Sequence, residues 1–405
     1  MKITRLRAQN FKSFDTVDVE LGDLNVLIGA NASGKSNFLS ILTFLRDIAR
    51  DGLEDAVSMQ SGEIELLRNV QVGSGEPTEI CLDWGYGLKK PDERPGYRWG
   101  AGLQSERAEL TGSRYELGLE YDENNFRIFR EKTAWAGYFT DQESENENFG
   151  TRSSDRESPY LTRELAAGGD PLPDPEEHPR MSLLRAEPSG FWFSFARDAL
   201  LRNLQVYDFQ KTGALAGASS HKGRTRLEGD GRNVALVLRR LLKDEENRRK
   251  FLNLATTLLP FVEDLDVEQI GGQSLLVTLQ ESHSGGVYLP SSLLSDGTVR
   301  IIALLIALYF SDNRIIAVEE PTTSLHPKLI SQLMQMMREV SEEKQIFVTT
   351  HNPEVIRHVD LDDVYLVSRD ADGFSQISKP ADKTEVRTFL ENDLGIDDLF
   401  VQNLL

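Results

Sequence analysis

The 405-residue sequence has one cysteine, Cys81, which excludes an internal disulfide and a zinc cluster built on cysteines. It begins MKITRLRAQNFKSF, with charges spread through the stretch and no apolar leader segment, so a secretory signal is not expected. Long apolar runs are also missing. The longest, IIALLIALYF at residues 301–310, is half of the ~20 residues a membrane-spanning helix needs and reads as a buried helix. These absences lead to the expectation of a reducing cytoplasm and no membrane partner. Positive charge is scarce: 45 Lys and Arg against 65 Asp and Glu leave a formal charge of −20, which opposes a broad cationic grip on nucleic acid and leaves only a local basic groove open. No heptad run is long enough for a coiled coil, and no internal repeat is present.

What is there falls into a bipartite pattern. Short β-like runs at 2–11, 15–21 and 24–29 lead into GANASGKSN, after which Phe38, Ile41, Leu42 and Leu45 stand at helical spacing, predicting strand, loop and helix in that order. Strand-like pieces follow from about Glu79 to Trp135. Residues 141–180 carry eleven carboxylates against four arginines, with much Gly, Pro, Ser and Asn, and are expected to form a flexible surface excursion. Residues 181–290 read as a mainly helical insertion, a lid, in which Phe191, Trp192, Phe193 and Phe195 are expected in a helix core rather than as a stacking platform for bases. An α/β pattern returns at 291–405: helix at 296–310, strand at 314–320, helix from Pro327, strands at 345–350 and 363–369. The expected organisation is an N-terminal lobe at 1–140, the excursion at 141–180, the lid at 181–290 and a C-terminal lobe at 291–405. The two lobes would complete one sheet.

Four motifs carry chemistry. GANASGKS matches G-x-x-x-x-G-K-[ST]: Gly29 and Gly34 let the backbone curl so that its N–H groups point inward, Lys35 would reach the β- and γ-phosphates of a nucleotide, and Ser36 would ligate Mg²⁺. Asn31 and Asn37, within and just after this loop, are further candidates for nucleotide contact. In RIIAVEEPTTSLHP a buried strand delivers two carboxylates to its C-terminal edge, with Glu319 placed to hold the metal through water and Glu320 to polarise the attacking water. SLLSDGTVR places a Ser-Asp-Gly turn at the start of an apolar helix, which by itself is an N-cap and a helix N-terminus able to meet phosphate oxygens. In IFVTTHNPEV, His351 follows a buried strand and can face the γ-phosphate.

With ITRLRAQNFKSF, GANASGKSNFL, LSDGTVRIIAL, EEPTTSLHP and TTHNPEVI in this order, the sequence resembles the ABC-type ATPase heads of the RecF, SMC and OLD group. It is most similar to the small ATPases of that group that lack a coiled coil, often classed as AAA ATPases and often linked to phage defence. The resemblance implies an α/β P-loop ATPase head whose two sequence-distant lobes share a core sheet, with a large mixed α+β or helical insertion. It also implies ATP and Mg²⁺ as cofactors, a homodimer with ATP sandwiched inside it, and His351 as switch histidine. The signature Ser295, Asp296 and Gly297 would then act in trans, Ser295 and Gly297 pressing on the γ-phosphate held by another subunit. The chain departs from the pattern in Glu319, where the broader group has Asp, and in LSDGT for the transporter-type LSGGQ. The glutamine of the Q-loop is left open between Gln60 and Gln71.

The leading expectation is a switch or clamp controlling a separate effector in anti-phage defence. OLD-type relatives carry a nuclease after the ATPase, and 54 residues follow His351 here, too few for one, so the nuclease would be a separate protein. The alternative is a RecF-like DNA clamp in repair or maintenance, drawing on Lys222, Arg224, Arg226, Arg232, Arg248, Arg249 and Lys250. Salt-sensitive DNA binding separates the two. The insertion and LSDGT argue against the energy subunit of a transporter, and a small-molecule kinase would not explain the signature or His351.

Overall fold

Central strands of a parallel sheet are apolar on both faces, and those runs are where the chain's two halves meet. The computed structural model describes residues 2–61, 64–73, 75–85, 99–100, 106–122, 125–141, 147–155, 201, 203–211, 219–220, 225–270, 274–323 and 325–382. The chain divides into two units, Met1–Gly22 with Asn31–Leu204 and Val367–Ser378, and Asp23–Ala30 with Gln205–Leu366 and Lys379–Leu405.

The first unit, with strands and helices numbered along the whole chain, contains β1 (Lys2–Phe11), β2 (Phe14–Glu20), α1 (Lys35–Asp51), α2 (Leu53–Ser61), β4 (Thr78–Gly85), β5 (Trp99–Gly100), β6 (Glu106–Asp122), β7 (Asn125–Asp141), β8 (Glu147–Asp155) and β17 (Ser375–Ser378). Its antiparallel sheet runs β2-β1-β4-β6-β7-β8, with β5 beside β6. The period-2 alternation of TEICLDWG appears directly in β4, where Ile80, Leu82 and Trp84 are buried and their neighbours half-buried. Helix α1 buries Phe38, Ile41, Leu42 and Leu45 as their spacing predicts, each such side chain worth roughly 1.5–3 kcal/mol. It stops at Gly52, whose φ of 102° lets its N–H reach back to Asp47 and Ile48 O.

The expected excursion at 141–180 requires a correction. Glu147–Asp155 is a strand paired along β7, so this part of the acidic segment is held by backbone hydrogen bonds. Residues 156–180 lie outside the described residues, as do the aromatics at 191–195.

The second unit holds a sheet with the order β16-β3-β15-β14-β9, made of β3 (Leu24–Ile28), β9 (Leu204–Asp208), β14 (Ile315–Glu319), β15 (Gln345–Thr350) and β16 (Val364–Arg369). Strand β3 comes from the start of the chain and pairs in parallel with β15 and β16 from its end, joining the sequence-distant lobes in one sheet as expected. All residues of β3 and β15 are buried. The unit also holds helices α3 (Val234–Leu241), α4 (Glu245–Leu258), α5 (Asp296–Tyr309) and α6 (Pro327–Ser341); α6 packs on β3 and β15, and α5 is apolar on nearly every side and correspondingly buried. Val26, Phe251, Ile302, Ile306, Ile316, Leu333, Met337 and Val348 belong to one core cluster.

The mainly helical reading of 181–290 is also corrected. Its described part has α3 and α4, broken where Asp244 caps α4 by accepting from Asn247 N–H, and then an antiparallel sheet of β10 (Ser219–Ser220), β11 (Val262–Ile270), β12 (Ser274–Glu281) and β13 (Tyr288–Pro290). Buried Val262, Leu265 and Val267 alternate with exposed acids along β11, a strand signature within an otherwise helix-rich stretch.

Candidate nucleotide site

In the second unit the strand register brings three motifs to one sheet edge. Glu319, the last residue of β14, lies opposite Thr349 of β15, and Thr350 lies opposite Ile28 of β3. Gly29, the first residue of the phosphate-loop motif, donates its N–H to Thr350 O at 3.3 Å. The end of a parallel strand is where such sheets expose free backbone groups to ligands, so the register alone sets Gly29, Glu319 and the residue after Thr350 in a row.

Glu320 leaves this edge in a left-handed conformation, φ 47°, with its N–H bonded to Thr349 O at 2.8 Å. A non-glycine residue held there costs on the order of 1–3 kcal/mol, a strain that active sites tolerate when their surroundings fix it. The carboxylate is fixed from the other side. Its Oε2 accepts the His351 N–H at 3.3 Å, and its Oε1 lies 2.8 Å from His351 Nδ1. Nδ1 must therefore carry the proton to donate. Glu320 is 13 % exposed while His351 is half-exposed, which suits a base sheltered behind an imidazole that faces solvent. The hydroxyls of Thr322 and Thr350, on the same two segments, lie 3.4 Å apart.

In the first unit, Asn31–Gly34 form the loop and α1 begins at Lys35. Ala32 has φ 60° and Gly34 φ 117°, the backbone curl the motif calls for. No side chain caps α1 and its first turn has no acid, so no carboxylate of that turn offsets the positive end of the helix dipole. Lys35 is buried, while Asn31 and Ser36 are exposed. Asn37, a further candidate for nucleotide contact, donates its Nδ2 N–H to Ser13 Oγ at 2.7 Å. A hydroxyl and a carboxylate, with coordination completed by water and phosphate oxygens, suit Mg²⁺, so Ser36 and Glu319 fit the implied metal by type. Among the described residues, no cluster of three or more His, Cys, Asp or Glu could hold a metal alone.

The signature begins α5. Ser295 Oγ accepts from Thr298 N–H at 3.1 Å and lies 2.8 Å from Thr298 Oγ1, so it caps its own helix. Ser295 and Asp296 are exposed, but Gly297 is buried, which leaves it less available to a second subunit than the resemblance implies. Arg300, one turn on, donates to Thr323 O at 3.3 Å, and Gln210 reaches Thr323 Oγ1 at 3.3 Å. Neither was evident in the sequence, because nothing in their spacing marks a contact with the segment after β14.

Of the Q-loop candidates, Gln60 is engaged on both sides, accepting from Lys12 Nζ and donating to Thr43 Oγ1, each at 2.9 Å. Gln71 is exposed. Within the basic set, two of the five described residues are paired with acids, Arg232 with Glu228 and Arg248 through two 2.7 Å bonds to Asp264, while Lys250 lies over the Phe310 ring at 5.5 Å. Arg226 and Arg249 are exposed, and Lys222 and Arg224 lie outside the described residues. Among the described residues, no helix is long and apolar enough to cross a membrane.

Comparison with known proteins gives matches at three levels. Residues 1–158 match the family model described as AAA ATPase domain. A 47-residue stretch is 43% identical to "Endonuclease GajA" of Bacillus cereus (strain VD045), covering 12% of this chain and only 8% of that protein. Among solved structures, the SMC head bound to the C-winged helix domain of ScpA is 16% identical, covers 93% of this chain and 97% of that one, and has a TM-score of 0.49. A Pyrococcus furiosus Smc head with an extended coiled coil, bound to the C-terminal domain of ScpA, is 13% identical over 96% and 99% of the chains, with a TM-score of 0.48. No residue assignment follows from likenesses of that size. Residues 103–357, more than half of the chain, match a further family model, and the chain accordingly belongs to the family described as AAA domain, putative AbiEii toxin, Type IV TA system, and is an ATP-hydrolysing enzyme.

Proposed function

We propose that this chain is a Mg²⁺-dependent ATPase whose ATP-bound homodimer is a switch controlling a separate effector, a nuclease, in anti-phage defence. The observation that carries the ATPase chemistry is the sheet edge on which Gly29, Glu319 and the Glu320–His351 pair stand in register. Lys35 would offset phosphate charge, and Ser36 and Glu319 are the groups whose chemistry would suit the metal. Mg²⁺, when bound, neutralises charge on the β- and γ-oxygens. Glu320 accepts the proton of the attacking water, a contribution of about 10²–10⁴-fold, and His351 keeps the carboxylate aimed through its Nδ1–H. Gly29, Asn31 and Gly34 supply backbone to the phosphates.

The separate effector is supported by the toxin in the family description and the short likeness to an endonuclease. The exposed Ser295 and Asp296 support a second copy docking at the start of α5, and the lone cysteine fits a cytoplasmic setting. A DNA clamp is less well supported, since Arg232 and Arg248 are already paired. The test is light scattering of Glu320→Gln with and without Mg-ATP, then with Ser295→Arg added. ATP-dependent doubling of mass that Ser295→Arg reverses is expected; mass and shape indifferent to ATP would remove the sandwich. Pull-down from cells carrying the neighbouring genes should recover a nuclease with Glu320→Gln and lose it with Lys35→Ala.

A further inference from the structure

A loop that offers its N–H groups to phosphate turns its carbonyls outward, and those carbonyls need partners of their own. Here two consecutive ones have them. Arg369 Nε donates to Ala32 O at 3.1 Å, and Ser375 Oγ donates to Ser33 O at 2.6 Å. Both donors flank the turn joining β16 to β17, which is closed by Asp370 N–H to Phe374 O at 2.9 Å and Gly373 N–H to Asp370 O at 3.1 Å. Arg369 also donates to Gly373 O, tying its guanidinium to that turn.

The Ser375 hydroxyl belongs to a longer chain of hydrogen bonds. Asn37 Nδ2 lies 2.7 Å from Ser13 Oγ, Ser13 Oγ lies 2.7 Å from Ser375 Oγ, and Ser375 N–H bonds Ser13 O at 2.8 Å. One proton order satisfies every member: Asn37 donates to Ser13, Ser13 to Ser375, and Ser375 to Ser33 O. Ser13, Ser33 and Ser375 are all nine-tenths buried or more, so water does not compete for these bonds. The packing is equally close. A Cβ on Gly34 would lie 2.2 Å from Ser375 Oγ, so Gly34 answers to the hairpin as well as to its φ of 117°.

We propose that the β16–β17 hairpin is a brace that presets the phosphate loop for ATP, with Ser375, Ser13 and Arg369 as positioning residues that act through the Ser33 and Ala32 carbonyls. The inference rests on the reading of this loop as the ATP site. Without the brace the loop must be ordered by the nucleotide itself, so affinity falls while the chemistry at Glu320, once ATP is seated, is little changed.

The experiment is titration of the full chain with Mg-ATP by calorimetry, alongside kcat and KM for hydrolysis. Ser375→Ala should raise Kd and KM about tenfold and change kcat less than twofold, and Arg369→Ala should raise Kd about threefold, partly restored in Arg369→Lys. Ser13→Ala, on a different element, should reproduce the Ser375→Ala effect and serves as the deciding variant if Ser375→Ala does not fold. Unchanged Kd in folded Ser375→Ala and Ser13→Ala, or a fall in kcat at constant KM, overturns the brace while the ATP site stands. Failure of the unaltered chain to bind Mg-ATP overturns both.

Discussion

Two helix N-termini in this molecule are built in opposite ways. Helix α1 starts behind a left-handed glycine, with no side-chain cap and no acid in its first turn. Helix α5 starts behind Ser295, which occupies the Thr298 N–H, and places Asp296 in its first turn. Orphan N–H groups at a helix start are satisfied by a cap or by a ligand. An end that carries its own cap is stable without an anion, whereas an end without one is completed by an anion. On the proposed function the difference suits α1 to a bound phosphate, and α5 to a surface that holds its shape alone and would meet a phosphate only when a second copy brings one.

The largest break in that comparison is Lys35→Ala. It removes a buried ammonium from the end that lacks a cap, and ATP affinity should fall about 100-fold by calorimetry, the loss of a charge-assisted contact. Unchanged affinity would put the nucleotide elsewhere. Gly34→Ala should follow, destabilising the chain by about 1–3 kcal/mol because φ 117° is strained for alanine and its Cβ would lie 2.2 Å from Ser375 Oγ. A melting curve reads this in the absence of any nucleotide. At the other helix, Ser295→Ala should cost about 1 kcal/mol, since the cap to Thr298 is lost with nothing to replace it. No change in melting temperature would mean that the Ser295 bond is idle, and α5 would resemble α1 after all.

The sequence made some of this visible and concealed the rest, for physical reasons. Strand, loop and helix around Lys35 were legible because periodicity and glycine placement are local, and β14 and β15 because buried parallel strands are continuous apolar runs. The joining of β3 to β15 and β16 was expected from the motif order and is observed in the register. Strands β11–β13 were not anticipated, since a helix-rich stretch precedes them and their alternation was outweighed by it. Ser13 and Ser375 were invisible as a pair: they are 362 positions apart, and a serine beside a strand carries no signal of its partner. The bond from the Asn37 amide to Ser13 was hidden as well, because adjoining the motif says nothing of a partner 24 positions away. The left-handed Glu320 was equally hidden, because a non-glycine positive φ is imposed by the fold around it.

The smallest effect sharpens the comparison most. Asp296 favours its own helix by roughly 0.3–1 kcal/mol through the dipole, yet it carries the sign of the phosphate that the proposed partner would present. Two like charges about 4 Å apart in water repel by about 1 kcal/mol, comparable to what the dipole returns. Asp296→Asn keeps the size of the side chain and removes the charge. In the Glu320→Gln background, where ATP persists, the dimer's dissociation constant with Mg-ATP should fall roughly fivefold, while the melting temperature without nucleotide drops slightly. Sedimentation at several concentrations measures the first and calorimetry the second. Weaker pairing in Asp296→Asn would mean that the carboxylate makes a favourable contact in the dimer, and α5 would then be a protein-docking end and not a phosphate-facing one.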